Sequence, residues 1–171
     1  YGLVGSEMCI RDSSPHLVNL QTENVQVLSG KHKLGLVGVP NLKPSTVSKF
    51  SSENGCGIKA IEAHNLGTEN DSLPGDVYIG YFRTLPGADE IKGRNYFIVC
   101  NALTSGNGLH PEQQHGSSRE TAQSITLTFG ESEKELFLVN GKNGQSEKAT
   151  LENGQYTFEL GGGEMQVFYL A

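Results

Sequence analysis

Short runs with β-strand character, separated by turns rich in glycine and asparagine, recur along most of the chain. The clearest run, residues 124–129, alternates between polar and apolar side chains, so that Ile125, Leu127 and Phe129 share one face of a strand. The chain has 22 glycines and no long stretch with helical periodicity. The pattern predicts an all-β fold, an antiparallel β-sandwich in a single domain, with about eight to ten strands.

Two runs near the middle of the chain predict the centre of a sheet. Residues 77–82 and 96–100 are rich in β-branched and aromatic side chains, which favour a half-buried pleated surface. We expect these two strands to pair antiparallel, with the residues between them forming an extended loop. Further strands are predicted at residues 25–28, 34–39, 57–63 and 136–139, with a short edge strand within residues 45–54.

Two more strand-like runs lie at the end of the chain. Asn153-Gly154, a dipeptide that suits turns with positive φ, leads into residues 156–160. Three consecutive glycines, residues 161–163, separate that run from residues 165–170. The spacing predicts a terminal hairpin made of these two strands.

The first thirteen residues differ in origin from the rest of the chain. Residues 3–13 match, in order, the translation of a transposase-type DNA sequencing adapter. We therefore predict that residues 1–13 are a non-native segment and that residues 14–171 are the domain, a C-terminal fragment of a longer protein. Without residues 1–13 the formal net charge changes from −6 to −5, because two acidic residues and one basic residue are removed.

Charge and hydropathy exclude two classes of partner. A mildly acidic chain lacks the basic surface that nucleic acids and anionic membranes select. No apolar run approaches the roughly 20 residues that a membrane-spanning helix requires. The sequence therefore predicts neither a nucleic-acid partner nor a membrane partner, and no motif indicates a cofactor.

Carboxylates are the first candidates for catalysis, because glycoside hydrolysis uses a pair of them. Asp76, Glu120, Glu159 and Glu164 lie on predicted strands or at their ends. Nothing in their spacing marks two of them as convergent, and carboxylates at strand ends usually face water. We predict no catalytic residue among them.

Histidine and cysteine residues do not form a recognisable site either. His110 and His115 are five residues apart in a predicted loop and Pro111 follows the first, so the helical spacing of a zinc motif is absent. No metal site is predicted. Outside the first thirteen residues the cysteines are Cys56 and Cys100, for which both a disulfide and two unpaired thiols are compatible with the sequence.

Carbohydrate binding favours exposed aromatic rings, and this chain has no tryptophan. Five tyrosines lie in predicted strands, where packing with a solvated hydroxyl explains most of them. These are Tyr78, Tyr81, Tyr96, Tyr156 and Tyr169. Some of them could line a sugar-binding platform.

Three segments carry a resemblance to a known class of domain. Residues 75–82, 93–101 and 121–129 are followed by a Gly141-Lys142 turn and a glycine-rich closing segment. The series resembles the C-terminal β-sandwich that follows the catalytic barrel in many multidomain glycoside hydrolases. In that family the catalytic residues belong to the barrel, so the resemblance implies no catalytic residue here.

The resemblance implies a non-catalytic accessory domain whose partner is an upstream catalytic barrel of the same chain. Two alternatives remain open at this point. One is an independent carbohydrate-binding module, for which a tyrosine-lined groove is expected. The other is a cell-surface interaction sandwich, which a disulfide between Cys56 and Cys100 would favour.

Overall fold

The computed structural model describes residues 20–30, 48–84, 94–103, 119–130, 134–141 and 143–171. The non-native segment predicted at residues 1–13, the strand predicted at residues 34–39, and His110 and His115 lie outside them. Ten strands are present in the described residues. They are β1 (Leu20–Leu28), β2 (Ser48–Lys49), β3 (Ile58–Asn65), β4 (Val77–Thr84), β5 (Asn95–Asn101), β6 (Gln123–Phe129), β7 (Leu136–Val139), β8 (Ser146–Lys148), β9 (Gln155–Leu160) and β10 (Met165–Leu170).

The strands form two sheets, so the fold is all-β as predicted. The larger sheet has seven strands in the order β2-β1-β4-β5-β10-β7-β8, and the smaller has three in the order β3-β6-β9. Neighbouring strands in the described residues are antiparallel except for β1 and β2, which pair in parallel. This parallel pair at one edge departs from the purely antiparallel prediction. It exists because β2 follows a long connection instead of a tight turn.

One hydrophobic core lies between the two sheets. Ile125 and Leu127 of β6 are fully buried, as the alternation predicted, while Phe129 is partly buried at the edge of the core. Its ring lies 6.4 Å from that of Phe97 on β5. Thr126 on the opposite face shares a hydrogen bond with a threonine of β9. The period-2 pattern therefore identified the inner face of β6 correctly.

The prediction for the sheet centre is also confirmed. β4 and β5 pair antiparallel, with Ile79 opposite Val99, and β5 is the middle strand of the seven.

The prediction that the last two strands form a hairpin was wrong. β9 pairs with β6 in the smaller sheet, whereas β10 pairs with β5 and β7 in the larger sheet. The connection of residues 161–164, with Gly163 at φ +80°, carries the chain from one sheet to the other.

Cys56 and Cys100 are not joined by a disulfide. Cys56 is buried in the core, and the side chain of Asn95 at the start of β5 donates a hydrogen bond to the carbonyl of Gly55. Cys100 lies near the other end of β5, about 16 Å along the strand. Disulfides require Cα atoms within about 7 Å, so the fold separates these thiols too far for a bridge.

Candidate functional site

A cleft of about 550 Å³ opens where the strands of the smaller sheet end. Asn65, Gln123 and Leu160 are register partners across β3, β6 and β9, so the connections at these positions meet. One wall is residues 66–68 and a second comes from the turn before β6. The third comes from the end of β9 and the connection that follows it.

Three of the four candidate carboxylates line this cleft: Glu120, Glu159 and Glu164. Their convergence was not predicted, because strand pairing brings them together across 44 residues of sequence. Asp76 does not line the cleft, and its carboxylate accepts a hydrogen bond of 2.6 Å from the backbone N–H of Gly30.

Two of the converging carboxylates bind backbone groups of the loops that form the walls. Glu164 accepts a hydrogen bond of 2.7 Å from the N–H of Gly161. Glu120 accepts hydrogen bonds from the hydroxyl and the backbone N–H of Thr68. Those bonds stabilise the ionised form and hold the pKa of Glu120 below its ordinary value. A general acid needs the opposite shift, so the pairing of Glu120 with Thr68 is unsuited to that role.

Two buried amide side chains, those of Asn101 and Gln123, bind to each other and to the connections that form the cleft. The amide nitrogen of Asn101 donates to the carbonyls of Thr121 and Leu160, at 2.9 Å each. Its amide oxygen accepts from the N–H of Leu103 and from the side chain of Gln123, at 2.9 and 2.7 Å. Asn101 and Gln123 are both completely buried.

Gln123 also binds the connection that precedes β4. Its amide oxygen accepts a hydrogen bond of 2.8 Å from the N–H of Gly75, just before β4. Sequence reasoning missed both residues, although a signal was present. Asn101 ends a run of apolar residues, and Gln123 occupies an inward position of an alternating strand. A polar residue at a core position indicates a hydrogen-bond network.

The connection after β3 has an unusual backbone. Asn70, Asp71 and Ser72 have φ values of +59°, +53° and +59°. Left-handed conformations cost roughly 1–2 kcal/mol per residue for residues other than glycine, with less for Asn and Asp. The side chain of Asn65 holds this turn through hydrogen bonds of 2.8 and 2.9 Å to the carbonyls of Glu69 and Leu73.

The tyrosines are packed within the fold. Tyr81, Tyr96 and Tyr169 are buried, and the other two are partly buried. The hydroxyl of Tyr81 donates a hydrogen bond of 2.9 Å to Gln26, and burial raises the pKa of this tyrosine. The five rings therefore serve to pack the sheets, and none of them lines the cleft.

No group of three or more His, Cys, Asp or Glu side chains in the described residues is arranged to hold a metal ion. Within the same residues, no helix has both the length and the apolar character needed to cross a membrane. Comparison with known protein families, curated proteins and solved structures found no match to this chain.

We expect the chain to lack glycosidase activity, because two of the cleft carboxylates are bonded to loop backbone and the pKa of Glu120 is lowered. Purified protein incubated with a panel of aryl glycosides should release no more phenol than a buffer blank. Turnover that disappears in the Glu120→Gln, Glu159→Gln or Asp76→Asn variant would contradict this expectation and identify the cleft or Asp76 as an active site.

Proposed function

We propose that the chain is a β-sandwich that serves as a non-catalytic accessory domain of a glycoside hydrolase and packs against its catalytic barrel. The observation that carries the proposal is the larger sheet, which has apolar side chains on both faces. One face forms the core against the smaller sheet, and the other carries a second hydrophobic cluster.

The second cluster covers four neighbouring strands, β4, β5, β10 and β7, on the outer face of the larger sheet. Its buried members are Tyr96, Ile98, Val139, Val167 and Tyr169, and its partly buried members are Phe82, Phe137 and Met165. Tyr169 is the centre of an aromatic row, with ring centroids 5.3 Å from Tyr96 and 4.8 Å from Phe137. The guanidinium of Arg94 lies 4.5 Å from the centroid of the Tyr169 ring.

The outer face of the smaller sheet is polar, unlike the outer face of the larger sheet. Thr126 and Thr157 lie opposite each other there and are hydrogen-bonded at 2.8 Å, and Glu62 is the partner of Thr126 on β3. Outward residues of a two-sheet sandwich are ordinarily polar, as they are here. Strands that are apolar on both faces are typical of a layer packed between two others. This asymmetry supports a role in which the larger sheet is the attachment side.

The partly buried residues are the part of the second cluster that a barrel could still cover. Phe82 and Phe137 lie at opposite sides of the aromatic row, on β4 and β7. Met165 lies on β10, opposite Cys100 of β5. Packing these side chains against a neighbouring domain would remove further apolar surface from water, which is the main favourable term in domain association.

The alternative functions have less support. A carbohydrate-binding module was expected to present a tyrosine-lined groove, whereas the five tyrosines are packed and the cleft is lined by none of them. A cell-surface interaction domain was favoured only by a disulfide between Cys56 and Cys100, and the structure has no such bridge.

The gene upstream of the codon for Ser14 tests the proposal directly. An open reading frame that encodes a (β/α)₈ barrel in the same frame is the expected result. A stop codon, or a start codon and a short signal peptide, immediately before Ser14 would contradict the proposal.

The longer protein then allows a test of the attachment side. We expect Phe137→Lys to lower the temperature at which hydrolase activity is lost by more than it lowers the melting temperature of the isolated chain, because the lysine would also disrupt the contact with the barrel. Thr157→Lys on the polar face of the smaller sheet is the matched control and should leave both temperatures nearly unchanged. Equal shifts in the longer protein and the isolated chain would argue against packing on this side.

A further inference from the structure

The connection from Leu66 to Leu73, here called the strap, forms one wall of the cleft and lies directly on the turn before β6. The N–H of Leu66 donates a hydrogen bond of 2.8 Å to the carbonyl of Ala122. At Gly67 the approach is so close that a Cβ would lie 2.1 Å from the carbonyl oxygen of Glu120. Thr68 then donates two hydrogen bonds to the Glu120 carboxylate.

One segment of the strap has a strained backbone. Its residues 70–72 have positive φ, and none of the three is glycine. Such a conformation persists only where surrounding contacts impose it. The side chain of Asn65 fixes the two ends of this segment, and the Asn70 side chain donates a hydrogen bond of 3.0 Å to the carbonyl of Leu73. The hydroxyl of Ser72 donates one of 3.1 Å to the carbonyl of Gly67, next to the residue that Glu120 binds, so the position of the segment is linked to the bonds between Thr68 and Glu120.

We propose that the strap is an acid-released gate: the ionised Glu120 carboxylate holds it closed against the strain of residues 70–72, and protonation of Glu120 lets it move away and widen the cleft. A protonated carboxyl accepts hydrogen bonds more weakly than a carboxylate, so both bonds from Thr68 weaken together. The strain then favours the open position, in which residues 70–72 can return to ordinary backbone conformations.

The direction of the pH effect follows from the same hydrogen bonds. They hold the pKa of Glu120 below its ordinary value when the strap is closed. The hydrogen bonds from Thr68 to the carboxylate are therefore present at neutral pH and are lost as the pH falls through that lowered pKa. Arg119 lies beside Glu120 and also favours its ionised form. The other charged groups at the gate are Glu159 and Glu164 across the cleft, and Glu69 and Asp71 on the strap itself.

Backbone amide protection factors, corrected for intrinsic exchange, measure the gate in the intact chain. In the wild type, protection of the strap amides should fall several-fold as the pH falls through the lowered pKa of Glu120, while the amides of Ile125 and Leu127 in the core stay protected. In Glu120→Ala the strap should be poorly protected already at pH 7 and should show no further fall. Glu159→Ala, which removes a charge from the same cleft without touching the strap, should keep the wild-type profile.

A second pair of variants tests the strain. Asp71→Gly and Asp71→Ala remove the same side chain, but only glycine adopts positive φ without cost. At pH 7 we expect higher strap protection in the glycine variant than in the alanine variant. The proposal is overturned if the wild-type strap shows no pH dependence, if Glu120→Ala retains it, or if the two variants at position 71 have equal protection.

Discussion

Replacing Asn101 with alanine should lower the free energy of unfolding by about 3–5 kcal/mol, which would make this buried amide one of the most sensitive positions in the chain. The substitution removes the hydrogen bonds that Asn101 makes to two carbonyls, one N–H and the side-chain amide nitrogen of Gln123, all in a buried place. Each buried polar group without a partner costs about 1–3 kcal/mol, and partial relaxation keeps the total below the simple sum.

Denaturant unfolding followed by circular dichroism measures this difference. The matched control is Asn95→Ala, at the other end of the same strand, where the side chain makes one exposed hydrogen bond to the carbonyl of Gly55. That variant should lose no more than about 1 kcal/mol. Equal losses at the two positions would show that the buried network contributes little beyond an ordinary hydrogen bond.

Leu127→Ala should also destabilise the fold strongly, by about 2–5 kcal/mol, because the side chain is fully buried between the two sheets and the substitution leaves a cavity. Thr126→Ala, one residue earlier on the outer face, loses only a hydrogen bond to Thr157 and should cost no more than about 1 kcal/mol.

The two substitutions on β6 form a register test that the same denaturant experiment can read. The expected result is a several-fold difference in the loss of stability between adjacent residues. Equal sensitivity would mean that β6 is buried on both faces, as the central strands of the larger sheet are, and would contradict the polar outer face assigned to the smaller sheet.

Strand positions were largely predictable because their signals are local. The alternation in β6 depends only on the period-2 geometry of an extended chain, which is why Ile125 and Leu127 could be assigned to the core. β4 and β5 could be paired because they are neighbouring strong strands in the sequence, and such strands usually lie side by side.

The candidate site was predictable only in its parts. Glu120, Glu159 and Glu164 could be named as candidate carboxylates, but their convergence depends on the pairing of β9 with β6. The burial of Asn101 and Gln123 could have been suspected from polar residues at core positions, but their partners are backbone groups from distant connections. Sequence patterns do not identify such partners, since any carbonyl or N–H can serve.

The amino-acid sequence by itself determined the all-β class, the location of most strands and the inner face of β6, because these depend on side-chain alternation and turn residues within a few positions of one another. Only the tertiary structure decided that β9 and β10 belong to different sheets and that the strap lies against Glu120. A strand can hydrogen-bond along any free edge at a similar local energy. The choice of edge is therefore made by the side chains that the whole fold can bury together.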